Sequence, residues 1–275
     1  MRTMAQAGWS ASPTVVITGA ASGIGRALAR AYAARGARVA LLDVDGPALE
    51  AAASGLANAT THRCDVASVA AVDEARDAVL AAHGTVHLLV CNAGISAAGP
   101  VEALPLDVFR RTMDVNFWGV VHACRSFVPT LRATAARGER AHLAIVLSDF
   151  ALLSLPTKAA YAASKHAAKA FTEALAAELQ GSGVRVSAIY PGATATDIVR
   201  RGHAVDPAKR DREAEFLAQG LPPEEVARRI VRAVDAGRAR VLIGRDTRAI
   251  DVATRLAPGV MQAGVRRLWR RVPFL

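Results

Sequence analysis

Tyr161 and Lys165 stand four residues apart in an Ala-rich stretch, a spacing that puts both on one face of a helix. A free phenol titrates near ~10, too high for a base at neutral pH. A nearby ammonium favours the phenolate and lowers that value, so the pair could take a proton from an alcohol or return one to a carbonyl oxygen. Ser148, 13 residues before Tyr161 and at the end of an apolar run, could hydrogen-bond the reacting oxygen and steady its charge. Taken singly, each residue also reads plainly: Tyr161 as a half-buried aromatic, Lys165 as a solvated helix residue, Ser148 as a strand-end cap.

A second chemical feature lies near the start of the chain. The run Thr14–Thr18 leads into Thr18-Gly19-Ala20-Ala21-Ser22-Gly23-Ile24-Gly25 and then into a helical pattern. Glycines let a backbone turn sharply and approach a pyrophosphate, whose charge a helix N-terminus favours. Gly19, Ala21, Ser22, Gly23, Ile24 and Gly25 are the candidate contacts. Asp43 follows Gly25 by 18 residues, where a carboxylate would accept hydrogen bonds from adenosine ribose hydroxyls and repel a 2′-phosphate. Neither Val44 nor Ser22 is basic, so NAD is expected over NADP. The alternative for Asp43 is an ordinary strand-end turn.

Positioning such groups takes alternating elements. Strands are expected at Thr14–Thr18, Arg38–Asp43, Thr61–Cys64, Val86–Asn92, His142–Leu147, Val184–Tyr190 and Ala239–Ile243. Helices are expected near Gly23–Arg35, Pro47–Ala57, Ser68–His83, Pro105–Arg137, Lys158–Gln180 and Pro222–Ala236. Continuous apolar strands spaced by helices imply an α/β fold, a Rossmann-like doubly wound, seven-stranded parallel sheet with helices on both faces. Residues 1–12 read as a disordered lead, 13–249 as a single oxidoreductase-type domain and 250–275 as a basic amphipathic extension. Within the domain, 193–220 breaks the rhythm and reads as a substrate lid or a solvated excursion.

The ordered set Thr18-Gly19-(x)3-Gly23-x-Gly25, Cys64-Asp65-Val66, Asn92-Ala93-Gly94, Asn116, Ser148, Tyr161-(x)3-Lys165 and Pro191-Gly192 resembles the short-chain dehydrogenase/reductase family, in its single-domain form, from about Thr14 to Gly244. The resemblance implies hydride transfer between a nicotinamide ring and an alcohol or carbonyl carbon, with Asn116, Ser148, Tyr161 and Lys165 as the catalytic set. It implies that Asp65 and Val66 flank the adenine and that Asn92, Ala93 and Gly94 line the cofactor. Tyr161 and Lys165 would touch the cofactor too, while Pro191, Gly192, Thr194 and Thr196 would hold its nicotinamide side. Asn116 would anchor a water linking Lys165 to solvent. Cys91 departs from the family, which usually has Asn before Asn92.

Phe150, Leu152, Leu153 and Leu155 suggest an apolar wall for a hydrophobic secondary alcohol or ketone, with room left opposite by Ala97, Ala98 and Gly99. Arg200, Arg201, His203, Lys209, Arg210 and Arg212 in the lid could attract an acidic group or simply face water. Two rivals remain: an NADPH-dependent keto or acyl reductase, and a non-catalytic NAD-sensing protein. The second would be expected to lose part of the catalytic set, which is intact here. The formal charge is +10, and nine Arg against two Asp in 238–275 carry most of it. No nucleic-acid motif accompanies that charge, so no nucleic-acid partner is expected. The tail mixes Leu256, Val260, Met261, Val265, Leu268, Trp269 and Phe274 with arginines, a composition suited either to weak contact with an anionic membrane or to packing on a subunit. Cys64, Cys91 and Cys124 lack metal-ligand spacing and read as reduced thiols in a cytoplasmic protein; no metal is expected. By resemblance, a homodimer or homotetramer forms through the long helices.

Overall fold

The computed structural model describes residue 4, residues 8–272 and residue 275. The sheet begins with β1 (Thr14–Thr18), whose five residues are all buried, followed by α1 (Gly23–Ala33), β2 (Arg38–Asp43), α2 (Gly46–Ala53), β3 (Ala59–Arg63) and α3 (Val69–His83). Then come β4 (Leu88–Cys91), β5 (Ala97–Ala98), α4 (Leu106–Met113), α5 (Gly119–Ala136), β6 (Ala141–Val146), α6 (Ala159–Glu178) and β7 (Val184–Pro191). The chain closes with β8 (His203–Ala204), α7 (Pro207–Ala218), α8 (Pro223–Asp235), β9 (Arg240–Ile243), α9 (Arg245–Leu256) and α10 (Pro258–Leu268).

Seven strands form one parallel sheet in the order β3-β2-β1-β4-β6-β7-β9. The apolar strands are covered on both sides, which is why they read as continuous hydrophobic runs. Leu28 and Tyr32 of α1, Leu49 of α2 and Ile230 of α8 cover one face. Val79 of α3, Phe127 and Leu131 of α5 and Ala168 of α6 cover the other. Strand order reverses between β1 and β4, and a crevice opens there beyond the carboxyl ends of the strands. Gly84 ends α3 in the left-handed region, at φ 74°, where a side chain would strain the turn.

Several expected boundaries move. The single helix expected over Pro105–Arg137 is α4 and α5 joined by a π-helical turn, Asp114–Trp118, a wider winding that side-chain periodicity does not announce. The irregular 193–220 segment contains β8 and α7. β8 pairs with β5, Ala97 opposite His203 and Ala98 opposite Ala204. This fills the space expected to stay open beside Ala97–Gly99: a Cβ on Gly99 would lie 2.5 Å from Val205.

The expected disordered lead is corrected where it is described. Met4 and Trp9 are buried in the core, and Trp9 Nε1 donates to Asp235 Oδ1 at 3.1 Å. The remaining lead residues 1–3 and 5–7, and residues 273 and 274 of the tail, with Phe274 among them, lie outside the described residues. The basic tail forms α9 and α10, starting before residue 250, and exposes Val252, Leu256, Val260 and Leu268.

Candidate active site

The glycine turn closes on itself tightly. A Cβ on Gly25 would stand 2.1 Å from the Gly19 carbonyl oxygen, and one on Gly19 would stand 2.7 Å from the Ala93 Cα. Asn92 pins the turn to the end of β4, its Nδ2 donating to the Thr18 and Gly19 carbonyl oxygens at 3.0 and 3.1 Å. The Thr18 hydroxyl in return accepts from the Asn92 and Ala93 N–H groups. Ser22 precedes α1 without capping it, and the first turn holds no acidic side chain, so the helix N-terminus remains suited to an anionic group. Ile24 packs against the core below. Thr196 comes over the turn from the loop after β7, its Cγ2 3.1 Å from where a Gly23 Cβ would sit.

Asp43 ends β2 beside this turn. Its Oδ2 accepts from the Ala21 N–H at 3.0 Å and its Oδ1 from the Asp45 N–H at 3.1 Å. Sequence spacing missed one neighbour: strand register sets Arg63 of β3 opposite Asp43, and Arg63 Nε donates to the Val44 carbonyl at 3.3 Å. An arginine therefore does stand near the position where none was expected. Asp65 accepts from Arg111 Nη2 at 2.9 Å, and Val66 is buried against Gly119, where a Cβ would come within 2.6 Å of it. Arg111 was also unanticipated, because α4 meets this crevice only through tertiary packing.

The catalytic candidates meet at the ends of β4 and β6. Asn116, fully buried in the π-helical turn, donates from Nδ2 to the Ile95 carbonyl at 2.9 Å and to Ser164 Oγ at 3.0 Å, and its Oδ1 accepts from the Ile95 N–H at 2.8 Å. Lys165 donates to the Val146 carbonyl at 3.2 Å, and its Nζ lies 5.8 Å from the centre of the Tyr161 ring. A Cβ on Gly94 would sit 3.3 Å from Asn116 Oδ1 and 3.5 Å from Lys165 Nζ, so the bare backbone there leaves a hollow beside both. The Ser148 hydroxyl lies beside the Tyr161 phenol, and Phe150 packs edge-on against that ring with centres 5.5 Å apart.

The electrostatics correct one expectation. Burial pushes the Tyr161 phenol above its ordinary value near 10, opposed by the Ser148 hydrogen bond and reinforced by Asp149 and Glu213. Lys165 is itself lowered to about 8 by burial. The chain's own groups thus hold Tyr161 protonated at neutral pH. Asp149, which sequence reading passed over, is raised to about 6 by burial, despite the Ser148 hydrogen bond and with Asp246 pushing the same way.

On the nicotinamide side expected from the resemblance, Pro191 ends β7 and Gly192 lies against α9. A Cβ on Gly192 would meet Asp246 Oδ2 and Thr247 Oγ1 at 2.5 Å each. Thr194 is buried, donates to the Gly192 carbonyl at 2.9 Å and pairs with Leu221, closing the base of the 193–220 segment. In that segment α7 is fastened over the start of α6 by a buried, close ion pair between Glu213 and Lys158. Two cations of this segment are engaged elsewhere: Lys209 donates to the Leu275 carbonyl at 2.6 Å, and Arg210 pairs with Asp211 at 3.1 Å. A hollow of about 290 Å³ lies between α4 and the lid, bordered by Ser96, Arg111, Arg201 and His203. A larger one, about 630 Å³, opens near Gly181, Gly183 and Gly237, toward the amino ends of β7 and β9 and away from this crevice. Among the described residues no His, Cys, Asp and Glu gather in a metal-binding group, and no helix is long and apolar enough to cross a membrane. All three cysteines are free and buried.

Comparison with known proteins agrees with this arrangement. The short chain dehydrogenase family pattern matches residues 13–205. SadH of Mycobacterium tuberculosis is 39% identical over 251 residues, covering 88% of this chain and 89% of that protein. A short chain dehydrogenase/reductase from Burkholderia phymatum, solved in complex with NAD, superposes with a TM-score of 0.82 at 32% identity, covering 92% of this chain and 95% of that one. A short chain dehydrogenase from Burkholderia cenocepacia, solved with NADP, gives a TM-score of 0.77 at 26% identity, covering 92% and 97%. The chain belongs to the short-chain dehydrogenase/reductase family of oxidoreductases, and its seven-stranded parallel sheet is the fold of that family.

Proposed function

We propose that this oxidoreductase uses NAD and acts on a hydrophobic secondary alcohol or its ketone, with Tyr161 as acid/base. The observation that carries the reading is the convergence of Asn116, Ser148, Tyr161 and Lys165 beside the glycine turn, although they come from three separate segments. The Gly19–Gly25 turn, the α1 N-terminus and Asp43 would hold the pyrophosphate and adenosine ribose. Asn92–Gly94 and Pro191–Thr196 would hold the nicotinamide half. A nicotinamide held there would supply the hydride chemistry, exchanging a hydride with the alcohol or carbonyl carbon. Tyr161 gives its proton to the carbonyl oxygen in reduction and takes the alcohol proton in oxidation. Ser148 borders the same oxygen and steadies its charge. Lys165 and Asn116 hold the polar hollow behind the phenol, where the resemblance puts a water.

Phe150 against the Tyr161 ring, with half-buried Leu152 and Leu153 following, supports an apolar substrate. A screen of hydrophobic secondary alcohols with NAD⁺, read by nicotinamide absorbance, tests the reading. Turnover of several such alcohols is expected; failure across the whole set contradicts the substrate class. Fluorescence titration with NADH and NADPH tests the cofactor, with NADH expected to bind more tightly because Asp43 would face a 2′-phosphate. Arg63 alongside Asp43 favours the second reading, an NADPH-dependent reductase, and tighter NADPH binding would select it. The same proposal takes the enzyme as a cytoplasmic homo-oligomer joined through α4–α6. Exposed Trp118 on that surface suits a subunit contact, and sedimentation velocity showing only monomer would dismiss it.

A further inference from the structure

We propose that Asp149 is a positioning residue: by holding the hydroxyl hydrogen of Ser148, it withholds that hydrogen from Tyr161 and so sets how readily Tyr161 releases its proton. The inference deepens the reading of Tyr161 as the acid/base and rests on it.

Ser148 Oγ donates to Asp149 Oδ1 at 2.8 Å, and the Tyr161 phenol lies close enough to the same hydroxyl for its donation to lower the phenol. A serine hydroxyl has one hydrogen. A carboxylate is the stronger acceptor, so while Asp149 is charged it keeps that hydrogen, and Ser148 has none to offer the phenol. A phenolate would then lack that donor, and Tyr161 keeps its proton. Once Asp149 is protonated, the order reverses: the carboxyl donates to Ser148, and Ser148 donates to the phenolic or reacting oxygen. The carboxylate is itself oriented, since the Phe150 N–H donates to Asp149 Oδ1 at 2.9 Å and to Ser148 Oγ at 3.2 Å. These contacts come from the short 3-10 turn Asp149–Ala151 directly after β6.

Two titratable groups face Asp149 from the elements packed on this turn: Tyr161 from α6 and Asp246 from α9. Among the described residues, β7, the third neighbour, brings no charge to bear on it. Asp246 is in turn bound by the Ala193 N–H at 3.3 Å. Both neighbours carry negative charge or none, which agrees with Asp149 titrating near about 6. Its change of charge therefore falls inside the working pH range of an enzyme.

The test uses the full-length protein and two independent readouts. In the first, the Asp149 carboxyl carbon is followed by NMR across pH in the wild type and in Ser148→Ala, with no substrate present. Losing the serine hydrogen bond should move the Asp149 titration upward by about one pH unit; an unmoved titration overturns the contact on which the proposal stands. In the second, kcat for oxidation of the fastest alcohol in the screen is measured against pH. The rising limb should move to lower pH by about one unit in Asp149→Leu and by less in Asp149→Asn, whose amide oxygen still accepts the serine hydrogen. In a Ser148→Ala background the Asp149→Leu shift should fall to less than half. An unmoved limb overturns the proposal, and so does an equal shift with or without Ser148, which would mean that charge alone acts. Should Asp149→Leu fail to fold, the presence or absence of the shift in Asp149→Asn decides the matter. If no alcohol is turned over, the reading of the enzyme fails while the NMR titration still judges the Asp149–Ser148 contact.

Discussion

At the scale of single residues, the site depends on atoms that must be absent as well as present. Gly25 has no room for a side chain, because a Cβ there would stand 2.1 Å from the Gly19 carbonyl oxygen. Gly25→Ala should force the turn open at a cost of about 1–3 kcal/mol. NADH affinity would then weaken roughly tenfold to a hundredfold by fluorescence titration, with little change in secondary structure by circular dichroism. Much of this was legible in advance, since the glycine spacing and the Tyr161–Lys165 interval are local patterns with direct geometric meaning. Asp149, Arg63 and Arg111 were not. Asp149 stands next to a recognised serine yet fits no spacing rule, and its importance comes from burial. Arg63 and Arg111 reach the crevice through strand register and helix packing, which neighbouring residues do not encode.

At the scale of elements, the π-helical turn and the lid stand out. Asp114–Trp118 winds wider than an α-helix, and Asn116 is the side chain it sends into the polar hollow. The alternation of strands and helices was readable because parallel strands buried on both faces give long apolar runs. The two-residue strands β5 and β8 were not, since such short pairings exist only once the lid has folded back. Helix α7 was equally hidden: its sequence is crowded with charges, and it is held by Lys158 and Glu213 rather than by a broad apolar face. Both members of that pair are buried, with side-chain exposures of 1% and 9%. Glu213→Ala leaves an ammonium buried without its partner and should cost about 3–5 kcal/mol of stability, measured by urea denaturation. Replacing the pair together, as Lys158→Met with Glu213→Leu, should recover most of that loss. Equal losses in the single and double variants would show that α7 is held by other contacts.

For the whole molecule, burial that makes the site also makes the fold sensitive to acid. His142, fully buried in β6 and hydrogen-bonded to Ser187 at 2.8 Å, is lowered from 6.5 to about 3, chiefly by burial and further by Arg140 and Arg185. The unfolded chain therefore takes up a proton that the folded chain refuses. This stabilisation is present above pH 6.5 and is lost as pH falls toward 3. His142 alone should contribute a slope approaching 1.4 kcal/mol per pH unit, roughly, through that window. Urea unfolding at several pH values should show a shallower acid slope in His142→Gln than in the wild type. An identical slope would mean that other groups, among them His62, His83 and His87, which are also lowered by burial, account for it. In the proposed reading the sheet brings one phenol to the mouth of the crevice, so Tyr161→Phe probes the account most directly. That variant should bind NADH within a fewfold of the wild type while losing about a hundredfold or more in kcat. Turnover at the wild-type rate in Tyr161→Phe, with its fold and NADH binding intact, would contradict the account.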